Sequence, residues 1–338
     1  MYYLWVDNIL FSVQHMTIQK FLIPDGIEYY DNNQALLFEN IRSAVLNIFK
    51  RYKYKLVITP IIDSVNNLTS LNGDKLKNAI LSATNTKGLG IRTDITPQIA
   101  RLDYQSYSNN KSYKYSYMGD IYRETSSIFD RNNPYQVGAE YFGNVSDDVD
   151  IEMLKMCIKI ISLSKTKKIL LDLSDASFVH RYINSLKISN NNILTLINLI
   201  NLKSHDEIKL FFKEKKISNN KFQELSDLMS LDGPYTDSRR LKSFINKYKH
   251  YSNINIKSLS RISSDMKKIN NIEVSIDLCS IKSVDYESEF NYCFYVENLR
   301  KPIATGGRYD AYTYDDNVTR NATGFSIDLK DIITVYEK

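Results

Sequence analysis

Cysteine, histidine, glycine and proline are all scarce in this 338-residue sequence. The three cysteines, Cys157, Cys279 and Cys293, are far apart and form no CxxC pair, which argues against a disulfide framework and a zinc site. The four histidines are isolated, and no two of them have the spacing of metal ligands. We therefore expect no metal site and a reducing, cytoplasmic location.

Long apolar runs are also missing. No stretch approaches the roughly 20 residues needed to span a bilayer, so no membrane association is expected. The start of the chain has apolar character but lacks the basic region and the small-residue cleavage site of a signal peptide. Residues 1–16 are predicted to be an N-terminal extension; alternatively, translation starts at Met16.

The common phosphate-binding and hydrolase motifs are absent. The sequence contains no Walker A motif, no Rossmann fingerprint, no GxSxG and no HExxH, and no cofactor is predicted. The formal net charge of +5 is small and spread along the chain, which is weak evidence for a nucleic-acid partner. With 43% hydrophobic and 25% charged residues, the composition is that of a folded globular protein.

Strand patterns are present in two parts of the chain. Alternation in KYSYMGDIYRE (114–124) and YQVGAEYFG (135–143) predicts neighbouring antiparallel strands and not alternating strand and helix units. The apolar stretch LVITPII (56–62) predicts a buried strand in which a proline limits pairing. Strand patterns return at EVSIDLC (273–279) and FNYCFYVEN (290–298).

Between these parts, residues 176 to 268 have helical periodicity and many lysines, most simply placed on solvated helix faces. The sequence therefore predicts an α+β fold whose mainly antiparallel sheet is flanked by helices. The core is predicted to comprise residues 17–175 and 270–338. Residues 176–269 are predicted to form a helical insertion subdomain.

Two groups of polar residues in the first strand-rich part are candidates for binding a small ligand. Asp94 and Thr96 lie at a predicted strand-to-helix junction, where such side chains either cap the helix or hold the ammonium of a small zwitterion. Arg123, Gln136 and Glu140 lie on the two predicted antiparallel strands. A buried glutamate needs a partner, so these residues line a pocket or, alternatively, an exposed strand face.

Two further groups lie in the second strand-rich part. Tyr286 belongs to KSVDYE (282–287), which follows the predicted strand end at Asp277. TGGRYD (305–310) places two adjacent glycines, which permit close backbone approach, shortly before Tyr309. Adjacent glycines are weak evidence of a site when they are taken alone.

These groups, in this order, resemble the catalytic core of histidyl-tRNA synthetase, a class II aminoacyl-tRNA synthetase. YMGDIYRE is similar to the motif 2 strand, TGGRYD to a histidine-recognition motif, and NATGFSIDLKD lies where motif 3 belongs. RTDITPQ (92–98) is similar to the Arg-Pro-Glu-Gly-Thr segment. The resemblance covers residues 20–175 and 270–335 and implies a class II synthetase-like catalytic-core fold.

The sequence departs from the synthetases where they handle ATP. Their motif 3 carries an arginine that holds ATP, and this sequence has Asp331 there, which is expected to repel the triphosphate. Their Arg-Gly-Leu-Asp-Tyr-Tyr motif appears here as KSVDYE, whose lysine lacks the planar fork of arginine. The sequence ends at Lys338, soon after motif 3, so no anticodon-binding domain is expected.

The same departures resemble the regulatory subunits of ATP phosphoribosyltransferase, which are paralogues of histidyl-tRNA synthetase. PDGI near the start, RTDITPQIAR and ATGFSIDLK are similar to that family. The resemblance implies a non-catalytic regulatory subunit, required for the first step of L-histidine biosynthesis, that mediates feedback inhibition by histidine. It also implies a hetero-oligomer with a short-form catalytic subunit and no tRNA partner.

An inherited histidine pocket, without catalytic residues, is a further implication of the resemblance. Its candidate residues are Asp94, Thr96, Arg123, Gln136, Glu140, Tyr286 and Tyr309. The first two would hold the ammonium of histidine and Arg123 its carboxylate, with Gln136 and Glu140 supporting the same end. Alternatively, the pocket is altered or empty and histidine acts at the interface with the catalytic subunit.

Two other functions stay open from the sequence. Adenylation of histidine or a related amino acid, by a free-standing ligase or a synthetase fragment, is favoured by Arg123 and Glu140 and opposed by Asp331. A tRNA-binding module is permitted by the net charge of +5 but disfavoured by the expected lack of an anticodon-binding domain.

Overall fold

The computed structural model of the chain describes residues 23–68, 88–106, 111–124, 130–251, 256–279, 290–314 and 318–337. The α-helices are α1 Asn32–Arg51, α2 Val65–Leu68, α3 Thr96–Ser106, α4 Asp147–Ile161, α5 Ser177–Leu186, α6 Asn190–Asn201, α7 His205–Glu214, α8 Asn219–Met229, α9 Arg239–Lys247, α10 Ile256–Met266 and α11 Leu329–Tyr336. Within these described ranges, no helix combines the length and the apolar character needed to cross a bilayer.

Most strands belong to one sheet. The strands are β1 Lys55–Val57, β2 Ile62–Ser64, β3 Leu89–Ile91, β4 Tyr113–Asp120, β5 Tyr135–Phe142, β6 Ile169–Asp175, β7 Gly233–Pro234, β8 Ile272–Ile276, β9 Phe290–Val296, β10 Ala304–Tyr314 and β11 Val318–Asp328. Nine of them form a sheet in the order β1-β4-β5-β11-β10-β9-β6-β8-β7, while β2 and β3 pair separately. The pairs are antiparallel except for β1–β4 and β6–β8, so the prediction of a mainly antiparallel sheet is confirmed.

Helices α1, α4 and α11 pack together against one face of the sheet and enclose the larger core. Helix α1 begins at a capping box, in which Asp31 accepts from Gln34 N and the Gln34 side chain accepts from Asp31 N. Its buried residues Ile41, Val45 and Phe49 recur every four residues, which places one apolar stripe on the core. The local sequence therefore fixes both the start of this helix and the face that it buries.

The helices from α5 to α10 lie between β6 and β8 in the chain, as the helical periodicity predicts. Strands β6 and β8 are parallel neighbours, and the short β7 within this segment pairs with β8. Helix α5 and the helices after it contribute residues to the same hydrophobic core as the sheet. The division into a core and an insertion subdomain stays a prediction.

The prediction of one buried strand over 56–62 was wrong. The stretch forms parts of two short strands separated by Pro60, and Leu56 and Ile58 are 43% and 85% exposed. The carbonyl of Thr59 accepts from Arg92 Nη1 at 2.9 Å, and that of Pro60 accepts from Gln98 Nε2 at 2.9 Å. The backbone turns away from the sheet because these side chains, and not a neighbouring strand, satisfy its carbonyl groups.

Candidate functional site

The candidate pocket lies on the sheet face opposite α1, α4 and α11. The register of the strands brings its residues together on this face. Glu140 on β5 pairs with Gly324 on β11, Gly324 with Gly307 on β10, and Gly307 with Asn291 on β9. Side chains of directly paired residues point to the same face of a sheet. Glu140 and Asn291 therefore stand on one face with two glycines between them.

Glu140 is the centre of the polar network on this face and is only 2% exposed. Its carboxylate accepts from Tyr309 OH at 2.8 Å and from Thr96 Oγ1 at 3.0 Å, and Tyr117 OH lies 3.4 Å from it. Burial raises the pKa of Glu140 to about 8, although the hydrogen bond from Tyr309 opposes the shift. This raised pKa favours the protonated form of the carboxyl group near pH 7.

Asp94 and Thr96 lie at the start of α3, as predicted. Asp94 Oδ1 accepts from Thr96 N at 3.1 Å and from Gln136 Nε2 at 2.8 Å, while Gln136 Oε1 accepts from Ile95 N at 2.9 Å. The predicted capping role of Asp94 is confirmed in one respect: its carboxylate accepts a hydrogen bond from a backbone N–H of the first turn of α3. The same contacts hold the start of α3 against the buried Gln136 on β5.

Arg123 lies beyond the end of β4 and is exposed. Its Nη2 donates to the carbonyl of Thr93 at 2.8 Å, which holds the guanidinium beside the loop that carries Asp94. The structure thus places Arg123 at the edge of the pocket, within the lining of the adjoining cleft. Tyr286, the remaining candidate, falls in 280–289, outside the described residues.

Two residues of the network were missed from the sequence. Tyr117 OH is 3.2 Å from Thr96 Oγ1, and Ser326 Oγ accepts from Gln136 Nε2 at 2.9 Å. Tyr117 was visible as a member of the alternating β4 pattern, two residues from Tyr115 on the same face. The contact of Ser326 joins residues 190 positions apart and gave no local signal.

Glycines make room for the network. A Cβ at Gly324 would collide with Glu140 Oε2 and lie 2.7 Å from the carbonyl oxygen of Ala139. A Cβ at Gly138 would collide with the Tyr117 hydroxyl. Glycine is required here because other side chains lie flat across these positions.

Arg308 of the TGGRYD segment lies on the opposite face from Tyr309, since successive strand residues alternate. Its Nη2 donates to Asp150 Oδ2 at 2.6 Å and to Asp147 Oδ1 at 3.1 Å, and Thr323 Oγ1 donates to Asp150 Oδ1 at 2.9 Å. Asp150 is fully buried on α4. The arginine therefore ties α4 to the sheet and does not belong to the pocket.

A cleft of about 310 Å³ adjoins the pocket. Its lining includes Arg123, Gln136, Thr305, Ser326, Asp328 and Asp331. Asp331, in the first turn of α11, pairs with Lys301 Nζ at 2.9 Å and with Arg131 Nη1 at 3.1 Å. The cleft is thus where residues of the motif 2 and motif 3 resemblances meet.

The charges of Arg131 and Lys301 are already neutralised within the chain. Arg131 also pairs with Asp328 at 2.7 Å, and Lys301 with Asp130 at 3.1 Å. The Asp331 side chain is 3% exposed, and burial raises its pKa to about 6. The sequence predicted that Asp331 repels a triphosphate. In the structure the Asp331 carboxylate also neutralises the charges of Arg131 and Lys301, which would otherwise attract a triphosphate.

Similarity to known proteins agrees with this geometry. The family model described as histidyl-tRNA synthetase matches residues 26–332. The chain belongs to the histidyl-tRNA synthetase family. A histidine–tRNA ligase subunit from Alicyclobacillus acidocaldarius superposes with a TM-score of 0.76 at 18% identity, covering 94% of this chain and 97% of that one. The synthetase-like core fold predicted from the motifs is therefore confirmed.

Within the histidyl-tRNA synthetase family, the chain is similar to proteins with a regulatory name. A Polynucleobacter asymbioticus protein named ATP phosphoribosyltransferase regulatory subunit is 28% identical over 317 residues, which are 92% of this chain and 81% of the relative. A chain of an ATP phosphoribosyl transferase complex from Thermotoga maritima superposes with a TM-score of 0.63 at 19% identity, covering 87% of this chain and 97% of that one. The similarity to regulatory subunits predicted from the sequence is confirmed.

Proposed function

We propose that the chain is the regulatory subunit of an ATP phosphoribosyltransferase, required for the first step of L-histidine biosynthesis and carrying feedback inhibition by histidine. One observation carries the proposal. On the sheet face that carries the candidate histidine-binding residues, Glu140 accepts hydrogen bonds from Thr96 and Tyr309. In the cleft beside this face, Asp331 forms ion pairs with Arg131 and Lys301. A pocket for an amino acid, beside a cleft in which the charges of Arg131 and Lys301 are already paired with Asp331, suits sensing better than adenylation. The names of the curated relatives support the same function.

The chain would do no bond chemistry of its own and needs no cofactor or metal. Its partner is a short-form catalytic subunit in a hetero-oligomer, a proposal supported by the Thermotoga maritima complex. No tRNA partner is proposed, and a cytoplasmic location fits a biosynthetic role. Feedback requires only that histidine bind the inactive state of the complex more tightly than the active state, by a few kcal/mol.

For histidine, the proposed contacts follow the network. The ammonium lies beside Thr96, Asp94 and Glu140, where a cation favours the ionised form of the buried Glu140 carboxyl group. The carboxylate lies beside Arg123, and the side chain extends toward Tyr309. Gln136 holds Asp94 in place, and Tyr286 remains a proposed contact.

The decisive experiment is an assay of ATP phosphoribosyl transfer by the short catalytic subunit of the same genome. Activity is expected to rise at least about 10-fold when this chain is added and to fall again with histidine. If a competent catalytic subunit has the same activity with and without the chain, the proposal is wrong.

Amino-acid adenylation remains the second candidate because Arg123 and Glu140 are both at the pocket. Its test is histidine-dependent exchange of pyrophosphate into ATP by the chain alone. Exchange at a rate comparable with synthetases would establish a ligase, whereas its absence together with activation of the catalytic subunit leaves the regulatory function.

Substituting Asp331→Asn is expected to strengthen binding of pyrophosphate about 10-fold at low salt, because Arg131 and Lys301 each lose a neutralising carboxylate. Titration calorimetry in 50 mM salt measures the gain. The matched control is Asp130→Asn, which loses only the pair with Lys301 and has a 41% exposed side chain, so its gain is expected to be smaller. Equal, unchanged affinities in the wild type and both variants would contradict the neutralisation account.

A further inference from the structure

Helices α7 and α8 line a groove of about 460 Å³, in the helical segment that separates β6 from β8 in the chain. The apolar part of its lining consists of Leu210, Phe212, Ile217 and Phe222. None of the lining residues belongs to the candidate pocket or to the cleft that contains Asp331. The α7–α8 groove is therefore a separate surface, to which the proposed function assigns no role.

The connection between the two helices is short because α7 ends in a Schellman motif. Lys216 has a left-handed backbone conformation with a φ of 53°, and its N–H donates to the carbonyl of Lys213 at 3.2 Å. Ile217 N donates to the carbonyl of Phe212 at 2.9 Å, which is the second hydrogen bond of this motif. The Ser218 side chain then caps the start of α8. The local sequence thus holds the two helices side by side and preforms the groove.

Two phenylalanines form the floor of the α7–α8 groove. The rings of Phe212 and Phe222 are 5.7 Å apart and meet at 71°, and Phe212 is only 3% exposed. Leu210, at the edge of this floor, is 56% exposed. A single exposed leucine is ordinary, but one beside a concave aromatic floor enlarges a continuous apolar surface. The groove therefore has room for apolar side chains of a partner.

Lysines border the apolar floor. Lys209 and Lys213 are exposed and lie one helical turn apart on α7, about 6 Å from each other. Within the described part of the chain, neither ammonium has an ion pair or a hydrogen bond, whereas Lys203 and Lys221 nearby are both paired with carboxylates. Asp206 supplies the acidic group of the lining, so the two lysines give the groove a positive border.

We propose that the α7–α8 groove binds an amphipathic, acidic helix of a partner protein. The exposed stripe of α7 from Asp206 to Lys213 is two turns long, about 10 Å, which matches two turns of a second helix. Apolar side chains one turn apart on the partner helix cover the phenylalanine floor beside Leu210. Carboxylates next to them pair with Lys209 and Lys213, so charge complementarity selects acidic helices over basic ones. The inference is independent of histidine binding by the chain.

The test measures binding of two synthetic peptides to the full chain by fluorescence anisotropy. Both peptides have about 15 residues and leucines on one helical face, and they carry either glutamates or lysines beside the leucines. The acidic peptide is expected to bind at least about 10-fold more tightly than the basic peptide at about 50 mM salt, and less so at about 500 mM. Equal affinities, or no binding of either peptide at about 1 mM, would overturn the proposal.

Variants of the groove make the outcome specific. Replacing Lys209→Glu and Lys213→Glu together is expected to reverse the preference, so that the basic peptide binds at least about 10-fold more tightly than the acidic one. An unfolded chain would not show this reversal. Leu210→Asp is expected to weaken binding of the acidic peptide about 10-fold, through loss of apolar contact. The matched control is Leu194→Asp, which changes a 50% exposed leucine on α6 outside the lining and should leave both affinities unchanged.

Melting curves check that each variant is folded, which is expected because the substituted side chains are exposed. A double lysine variant that keeps the wild-type preference contradicts the assignment of the groove. Binding to phosphatidylserine vesicles, or self-association of the chain, is measured with the wild type and with Leu210→Asp. If either is lost in Leu210→Asp while the wild type binds neither peptide, the groove contacts a lipid surface or a second copy, and the proposal is wrong.

Discussion

Histidine binding is expected to weaken about 100-fold when Glu140 is replaced by alanine. The carboxylate sits in a buried network with Thr96 and Tyr309, where a charge-assisted hydrogen bond to the ligand ammonium is poorly screened by solvent. The affinity should also depend on pH. Because burial raises the pKa of Glu140 to about 8, the carboxyl group must lose a proton before it can pair with the ammonium.

The direction of the pH dependence follows from this linkage. Raising the pH from 7 to 8 increases the ionised fraction of Glu140, so histidine is expected to bind about fivefold more tightly at pH 8. Calorimetry at pH 7 in buffers of different ionisation enthalpy should record the release of close to one proton. In the absence of ligand, the raised pKa lowers stability progressively as the pH rises from 4.5 to about 8, since the unfolded chain ionises first.

Glu140→Gln keeps the shape and removes the titration, so its histidine affinity is expected to be low and flat from pH 7 to pH 8. The control is Glu152→Gln, a carboxylate on α4 bonded to Lys114 and Tyr54, which should leave affinity and pH dependence intact. Wild-type binding that is independent of pH, or equal losses in both variants, would count against Glu140 as the ammonium ligand.

Arg308→Ala is expected to lower the free energy of unfolding by about 3–5 kcal/mol, because it leaves the buried carboxylate of Asp150 without its cation. Burial already raises the pKa of Asp150, and Arg308 is the main influence that lowers it. Without Arg308 the pKa rises further, so Asp150 takes up a proton at mildly acidic pH. The loss of stability is therefore expected to be smaller at pH 5 than at pH 7.5, as measured by the urea midpoint.

A matched control lies on the same side of the molecule. Arg261 on α10 pairs with Asp148, whose side chain is 76% exposed, and Arg261→Ala should cost no more than about 1 kcal/mol. Combining Arg308→Ala with Asp150→Asn removes the unpaired charge and is expected to recover part of the loss. Equal costs for Arg308→Ala and Arg261→Ala would show that the Arg308 contact is not a buried ion pair.

Much of the fold, and the proximity of several candidate site residues, could be predicted from the sequence because the relevant signals are local. Alternation in β4 and β5 predicted antiparallel neighbours, and pairing of these strands places Gln136 and Glu140 on one face. Periodicity predicted the helices from α5 to α10. The apolar stretch at 56–62 misled because hydrophobicity reports what a residue prefers to bury, not whether the rest of the chain covers it.

Apart from residues 56–62, the sequence alone determined most of the order along the chain: which segments are strands, which are helical, and which polar residues start some of the helices. Only the tertiary structure decided which charged side chains are paired with each other. Arg131 and Asp331 are distant in sequence, and their pairing follows from α11 packing beside β5. Whether a cation attracts a ligand depends on which carboxylate the fold brings within a few ångströms, because charge interactions fall with distance and strengthen with burial.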